Sequence, residues 1–310
     1  MTAPLVTIGV VSYNRLHYLR ALMESARRCV LYPHVQWIVV DGNSTESGLR
    51  KYVDDLDFVE HKVFEHCTHP EAMNRIVELA RGEFLLILPE DVQFVLCGSW
   101  LEDMVEIASR PEVGHVQFDA QRRQTLARFF GRRRRRRRIH TAAGVEYLRF
   151  GPLREPVGAA GIVSFGRTEI RRALGPWRTR PELADLQDSS LGAEADMILR
   201  YEQSGLRLEA VMRRFPVVAD IVTDPRGTKA RVRGGNRRYG RYAPPPSGDL
   251  YYRVWDEGEL ERFADAEPAP AFEDYVRPVG FELPLDSQGD LLKTNVVTAD
   301  EPFELIGPHS

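Results

Sequence analysis

Apolar residues recur at spacings that predict alternating strands and helices over the first third of the chain. Apolar, often β-branched runs at 5–11, 36–40 and 84–88 predict three strands, the last of them buried on both faces of a parallel sheet. Helical spacing after the first strand, and again over 71–80, predicts the intervening helices. This order of strands and helices is typical of a doubly wound sheet, so we predict an α/β fold.

Polar residues follow each of these predicted strands. Ser12 follows the first and Asp41 the second, while Glu90 and Asp91 come after Pro89, which ends the third. Ligands of open α/β sheets bind outside the carboxyl ends of the strands, so these side chains are expected at one rim. Paired carboxylates there suggest a divalent cation, Mg²⁺ or Mn²⁺, and the plain alternative is a turn with solvated acids.

The pattern continues beyond this strand with further helices. Ser99 and Glu102 have the spacing of a capping box that opens a helix, and 113–118 is predicted to be a strand. A later helix starts near Gly192, which puts Glu194 and Asp196 in or near its first turn. Acids are favoured there by the helix dipole alone, which is the alternative to a catalytic role.

Composition excludes several classes of protein. The 310 residues are 43% hydrophobic and 28% charged, as in soluble globular proteins. No window approaches the roughly 18 consecutive apolar residues of a membrane span, and the start lacks the basic region of a signal peptide, so we expect no integral membrane segment and a cytoplasmic location. Three cysteines without C-x-x-C spacing argue against a disulfide framework and a zinc site.

The net charge of −3 conceals strong segregation along the chain. Arg132–Arg138 are seven consecutive arginines inside an Arg-rich stretch, 120–140, which we expect to be a mobile loop because like charges repel. A second basic, glycine-rich loop is predicted over 225–246, and residues 249–310 carry 15 acids against four basic residues. Neither a G-x-G-x-x-G fingerprint nor a P-loop is present to bind phosphates, so a metal could replace those loops.

Five segments, in order, resemble one known family. They read VTIGVVSYNR, IVVDGNSTE, ARGEFLLILPEDVQF, VGAAGIVSFGRTEIRRALGPW and GAEADMILRYEQSGLRL. Together they resemble the inverting GT-A glycosyltransferases of family 2 over about residues 5–215. The resemblance implies a GT-A fold, which is a Rossmann-like doubly wound mixed sheet, here with a C-terminal extension.

The resemblance also implies which residues bind the donor. Ser12, Tyr13 and Asn14 would border the nucleoside, and Asp41 matches the acid that hydrogen-bonds the base, usually uracil. Asn74 is a further candidate donor-binding residue.

The metal and the catalytic base are implied in the same way. Asp91 matches the metal-binding acid, with Glu90 beside it, and Asp220 or Asp224 would substitute for a late histidine ligand that this chain lacks. Counting back from Arg200, the resemblance puts Glu194 at the catalytic base and Asp196 at the following acid.

These inferences together predict a transferase. It would move a sugar from a nucleotide-diphosphate donor, most often UDP- or dTDP-linked, to an acceptor hydroxyl such as that of a saccharide. Arg231 and Arg233, in the later basic loop, would help the metal to stabilise the departing diphosphate.

An alternative of another class is a catalytically silent domain that binds nucleic acid or an anionic surface through Arg132–Arg138. Nucleic acid is the less favoured partner, because few aromatic residues accompany the arginines. For the domains we predict a nucleotide-sugar half at 1–115, an acceptor half at 116–220, and a basic loop with an acidic extension at 221–310.

Overall fold

The computed structural model describes most of the first 264 residues. The described ranges are 3–118, 137–150, 165–180, 192–206, 208–213, 215–221 and 250–264, together with four two-residue strands at 231–232, 241–242, 290–291 and 296–297. The helices are α1 Leu16–Cys29, α2 Leu49–Asp54, α3 His69–Leu79, α4 Trp100–Ala108, α5 Thr168–Leu174, α6 Ala193–Ser204 and α7 Glu257–Ala264.

The longer strands are β1 Val6–Ser12, β2 Val35–Asp41, β3 His61–Phe64, β4 Phe84–Pro89, β5 Val92–Phe94, β6 Leu96–Cys97, β7 Val113–Gln117, β8 Arg137–His140, β9 Glu146–Phe150, β10 Phe165–Arg167, β11 Glu209–Arg213 and β12 Val218–Asp220. The remaining strands have two residues each: β13 Arg231–Val232, β14 Arg241–Tyr242, β15 Trp255–Asp256, β16 Asp290–Leu291 and β17 Val296–Val297.

A nine-stranded mixed sheet forms the centre of the fold, in the order β3-β2-β1-β4-β10-β7-β11-β9-β8. β1, β2, β3 and β4 are parallel, and β7 and β11 continue the same direction beyond the antiparallel strand β10. The predicted α/β doubly wound mixed sheet is confirmed. One sheet runs through both predicted halves, and the proposed boundary at 115/116 falls inside β7.

Helices cover both faces of this sheet because its central strands are apolar on both sides. One core contains α1, α4 and residues such as Ile8 and Leu86, and the other contains α3, α6 and residues such as Val11 and Ile87. Helix α3 approaches β1 closely at Gly9, where an added Cβ would lie 2.2 Å from Cγ2 of Ile76. A glycine is required there for the helix to pack on the strand.

The capping box predicted at the start of α4 does not form. The backbone N–H and hydroxyl of Ser99 both donate to Oε2 of Glu257, each at 3.1 Å, because α7 is brought against this helix end. A capping box opens α3 instead, where Glu71 accepts hydrogen bonds from the backbone and the hydroxyl of Thr68. At the start of α4, Glu257 thus takes the place that was predicted for Glu102.

Part of the C-terminal extension packs on the core. The buried amide of Gln93 accepts hydrogen bonds from the backbone N–H groups of Tyr251 and Tyr252, at 2.7 and 2.9 Å, and donates to the carbonyl of Tyr252 at 2.8 Å. Strand β15 then pairs with β6. These two tyrosines and Trp255 are all buried, so aromatic residues anchor this part of the extension to the core.

The prediction that 120–140 is a mobile loop is wrong for its last four residues, 137–140. Arg137 and Arg138 begin β8, which pairs with β9, and Nη1 of Arg138 lies 2.8 Å from Oε2 of Glu146. Pairing with an opposite charge across the hairpin offsets the repulsion that the sequence suggested. The other arginines of the run lie outside the described residues.

Among the helices that are described, none is long and apolar enough to cross a membrane.

Candidate functional site

The carboxyl ends of three parallel strands bring the predicted site residues to one edge of the sheet. Ser12 is the register partner of Asp41, and Val11 is the partner of Pro89, so Glu90, directly after β4, comes to the level of Ser12. We call this rim the carboxyl edge. It is the position at which open α/β sheets bind ligands.

The turn after β2 is held by side chains from both strands. Asp41 accepts hydrogen bonds from the backbone N–H of Ser44 at 2.7 Å and from its hydroxyl at 2.6 Å. Oδ1 of Asn14 accepts from the N–H groups of Thr45 at 2.8 Å and Glu46 at 3.1 Å. Asn14 takes a left-handed conformation with φ of 50°, which asparagine tolerates better than most residues. The two loops therefore form one fixed unit.

Tyr13 and Ser12 present an aromatic ring and a hydroxyl at this unit. Tyr13 is 46% exposed although it is aromatic, and its ring lies against Gly42, where an added Cβ would be 3.1 Å from Cδ2. The hydroxyl of Ser12 is buried and has no hydrogen-bond partner among the described residues. Buried polar groups are normally paired, so this one is suited to bind a ligand.

Arg15 joins the two acids that follow β4. Its Nη1 lies 3.3 Å from Oε1 of Glu90 and 3.3 Å from Oδ2 of Asp91. Burial alone would lower the pKa of Arg15, but the charges of Glu90 and Asp91 raise it above its ordinary value. Burial also raises the pKa of Glu90 to about 7, against the opposing effect of Arg15. The arginine is therefore a permanent cation beside these two acids.

The charges of Arg15 and Asp91 also act on His69, the first residue of α3, and affect its pKa. Desolvation lowers its pKa to about 4, the charge of Asp91 acts in the opposite direction, and Arg15 lowers it further. The imidazole is neutral at pH 7. Neither Arg15 nor His69 was assigned a role from the sequence, and the signal for both was weak: Arg15 belonged to a quoted motif, and His69 follows the Thr68 that caps α3.

The predicted metal ligands Asp91 and Asp220 are brought together by the backbone. Strand β12 pairs with β5, Asp220 is the register partner of Val92, and the N–H of Ile221 donates to the carbonyl of Asp91 at 2.8 Å. Over the described part of the chain, however, no group of three or more His, Cys, Asp or Glu side chains is placed to hold a metal ion. Because Mg²⁺ is held by one or two carboxylates together with substrate phosphates, the acids themselves fit such an ion, but Asp91 is already paired with Arg15.

Topology directs α6 towards the carboxyl edge. α6 precedes β11, which is parallel to β7, so the end of the helix lies at the amino edge of the sheet and its start at the opposite one. Twelve residues span about 18 Å, close to the length of a six-residue strand such as β4. Glu194, in the first turn and half-buried, thus lies towards the rim that carries Asp41 and Asp91.

Asp196, one half-turn farther along, binds two arginines. Its Oδ1 accepts from Nη1 of Arg180 at 3.1 Å and its Oδ2 accepts from Nε of Arg200 at 2.9 Å. Arg200 also donates to the carbonyl of Leu174, the last residue of α5. Because the carboxylate is buried and already paired on both oxygens, this geometry is that of a structural anchor.

Asn74, on α3, is likewise committed to the protein. Its Nδ2 donates to the carbonyl of Trp177 at 2.9 Å, and its Oδ1 accepts from the N–H of Trp177 at 2.8 Å. Arg231 lies in β13, which pairs with β16, and Arg233 lies outside the described residues. Their assignment to the donor stays a prediction.

Comparisons with known proteins give one family. A sequence model described as glycosyl transferase family 2 matches residues 7–166. A protein of Myxococcus xanthus named O-antigen biosynthesis protein RfbC is 35% identical over 118 residues, covering 36% of this chain and 9% of that protein. A protein of Sinorhizobium fredii named y4gI is 30% identical over 118 residues, covering 36% of this chain and 13% of that protein. The chain thus spans only a small part of the curated relatives it matches.

Two solved structures resemble the chain more loosely. S. aureus TarS has a TM-score of 0.47 and 14% identity, covering 72% of this chain and 37% of that one. The mannosyltransferase PcManGT from Pyrobaculum calidifontis, solved with GDP-Man and Mn²⁺, has a TM-score of 0.47 and 17% identity, covering 71% of this chain and 58% of that one.

Proposed function

Because this chain belongs to glycosyl transferase family 2, with the mixed sheet of the GT-A fold, we propose that it transfers a sugar from a nucleotide-diphosphate donor to an acceptor hydroxyl with inversion. The register that aligns Ser12, Asp41 and Glu90 along the carboxyl edge carries this proposal. It supports a nucleotide site at the rim where ligands of such sheets bind.

The nucleoside would bind at the unit formed by the two loops after β1 and β2. Tyr13 offers an exposed aromatic face for a base, Ser12 a buried hydroxyl, and Asp41 a carboxylate whose position is set by Ser44. Base–aromatic stacking contributes ~1–3 kcal/mol in other systems. We propose UDP or dTDP as the nucleotide, since an acid at this position pairs with a pyrimidine N–H.

Glu194 would act as general base on the acceptor. It takes the proton of the acceptor hydroxyl while that oxygen bonds to the anomeric carbon, and the diphosphate leaves with the electron pair of the broken bond. One in-line displacement inverts the configuration at that carbon. Proton transfer of this kind contributes typically ~10²–10⁴-fold to the rate.

The predicted Mn²⁺ or Mg²⁺ stays a prediction, and we derive no step through it. Arg15 lies against the acid expected to bind the metal, and the described residues offer no three-ligand group. The diphosphate charge can also be met by arginines, which bind phosphate bidentately. Arg231 and Arg233 remain candidates for that contact.

A saccharide is the acceptor class we propose. The Myxococcus relative is named for O-antigen biosynthesis, and a saccharide supplies the hydroxyl that Glu194 would deprotonate. The alternative of a silent binding module is supported less well, because the described end of the arginine run is paired with Glu146 in a hairpin.

Replacing Glu194 by Gln tests this function. The amide cannot accept a proton, so Glu194→Gln should keep donor affinity within error and reduce turnover by roughly 10²-fold or more. Binding is measured by calorimetry with UDP-, dTDP- and GDP-sugars, and turnover by release of the nucleotide diphosphate. Glu169→Gln, at an acid that is 80% exposed on α5, is the matched control and should change neither quantity. Full turnover in Glu194→Gln would show that another group is the base.

A further inference from the structure

A guanidinium occupies one side of the Asp91 carboxylate, the acid that was predicted to bind a divalent cation. Nη1 of Arg15 is 3.3 Å from Oδ2 of Asp91 and equally close to Oε1 of Glu90. A Mg²⁺ ion needs oxygen ligands at about 2.0–2.1 Å, and a protein commonly supplies one or two carboxylates for it beside the phosphate oxygens of the substrate. The ion could approach this oxygen only if the arginine moved away.

Hydrogen bonds fix the backbone on both sides of Arg15, which limits the positions that its guanidinium can reach. The N–H of Asn14 donates to the hydroxyl of Ser44 at 2.8 Å, and the N–H of Leu16 donates to Oε2 of Glu46 at 3.1 Å. Arg15 itself is the residue before α1 begins. Its side chain is 23% exposed, which is low for an arginine at a rim.

The described side chains place no third candidate ligand together with these two acids. No group of three or more candidate ligands occurs in that part of the chain. Arg15, a residue of the chain itself, thus supplies a positive charge at this rim.

We propose that Arg15 is the resident cation of the donor site, so that a nucleotide diphosphate binds to this protein without a divalent metal. The inference rests on the proposed function, because it requires the nucleotide to bind at the carboxyl edge. The physical role is electrostatic: the guanidinium offsets the negative charge of Glu90 and Asp91, which would otherwise repel the diphosphate. Unlike a metal ion, it cannot be removed by a chelator.

Calorimetry of UDP, dTDP and GDP in EDTA, and separately in Mn²⁺, tests the inference on the unmodified chain. The Kd of the preferred nucleotide should agree between the two conditions within about twofold. Binding that occurs only with Mn²⁺ would overturn the inference while leaving the proposed function in place. If none of the three nucleotides binds in either condition, the proposed function fails and this inference fails with it.

Arg15→Met, which keeps the length of the side chain and removes its charge, gives the second arm. In EDTA this variant should bind the nucleotide about tenfold or more weakly, and Mn²⁺ should restore part of the loss because both acids become available to the ion. Arg27→Met, on the same helix at a half-exposed arginine paired with Asp57, should behave as the wild type. Unchanged affinity of Arg15→Met in EDTA would contradict the inference.

Removing one member of a partly buried charge pair can unfold a protein, so two further variants are included. Arg15→Lys keeps the cation and should retain metal-free binding. Arg15→Met combined with Glu90→Gln removes opposite charges together and should fold. Because one of the two acids that repel the diphosphate is then neutral, this variant should bind in EDTA more tightly than Arg15→Met. A folded double variant that binds no more tightly than Arg15→Met would overturn the inference.

Discussion

Several side chains at the carboxyl edge are hydrogen-bonded to the loops around them, and these hydrogen bonds set the orientation in which they would meet a ligand. Asp41 is fully buried and holds Ser44 through two hydrogen bonds, while Asn14 holds the next two residues. A carboxylate oriented in this way loses little conformational entropy when it binds a nucleobase. Asp41 therefore has two proposed effects, to hold the turn at Ser44 and to bind the base, and variants can separate them.

At the residue scale we predict that Asp41→Ala weakens binding of UDP or dTDP by ~1.5–3 kcal/mol, the range for a hydrogen bond to a charged group. Ser44→Ala removes the hydroxyl that donates to the same carboxylate at 2.6 Å and is the matched control. It should lower the melting temperature slightly and leave the affinity nearly unchanged. Calorimetry of both variants decides; an equal loss in both would mean that the carboxylate acts only through its turn.

At the scale of elements, α6 is fixed by charge as well as by apolar packing. Asp196 has a side chain only 5% exposed, and it binds Arg200 on its own helix and Arg180 in the segment after α5. Ala193 and Met197 of the same helix belong to the core that covers one face of the sheet. The direction of the first turn, and with it the position of Glu194, depends on both contributions.

We predict that Asp196→Ala lowers the free energy of unfolding by about 3 kcal/mol, because it leaves the buried guanidinium of Arg200 without its carboxylate. Asp55→Ala removes an exposed pair with Lys51 at the same i, i+4 spacing and should cost only about 0.3–0.5 kcal/mol. Urea denaturation of both variants gives the comparison. Similar losses in the two would show that Asp196 is not the anchor of α6.

At the scale of the whole molecule, a buried charged cluster joins the C-terminal segment to the sheet. Nη2 of Arg213, on β11, lies 2.9 Å from Oε1 of Glu257 on α7 and 3.6 Å from Oδ2 of Asp103 on α4. Burial raises the pKa of Asp103 to about 6, although Arg213 acts in the opposite direction; Glu257 and Glu106 raise it further. Tyr147 of β9 faces the same cluster.

This raised pKa gives the stability a pH dependence of known sign. The folded protein holds the proton of Asp103 more tightly than the unfolded chain, whose aspartates titrate near ~3.9. The contribution to stability is therefore full below about pH 4 and is lost as the pH rises through about 6. We predict that the melting temperature falls less between pH 4.5 and pH 7 in Asp103→Asn than in the wild type.

The control for this pH series is Asp57→Asn, at an aspartate whose side chain is 78% exposed. Its profile of melting temperature against pH should follow that of the wild type. A profile of Asp103→Asn that also follows the wild type would contradict the raised pKa.

The sequence by itself determined the strands β1, β2 and β4, the helices α1 and α3, and the alignment of Ser12, Asp41, Glu90 and Asp91 at one rim. It could do so because apolar runs and helical spacing are local signals, and parallel strands necessarily end at the same edge. Only the tertiary structure decided which acids were already paired. Arg15 meets Asp91 across 76 positions of the chain, and Ser99 meets Glu257 across 158. Charges so far apart leave no periodic trace, so their pairing is fixed by how the elements pack.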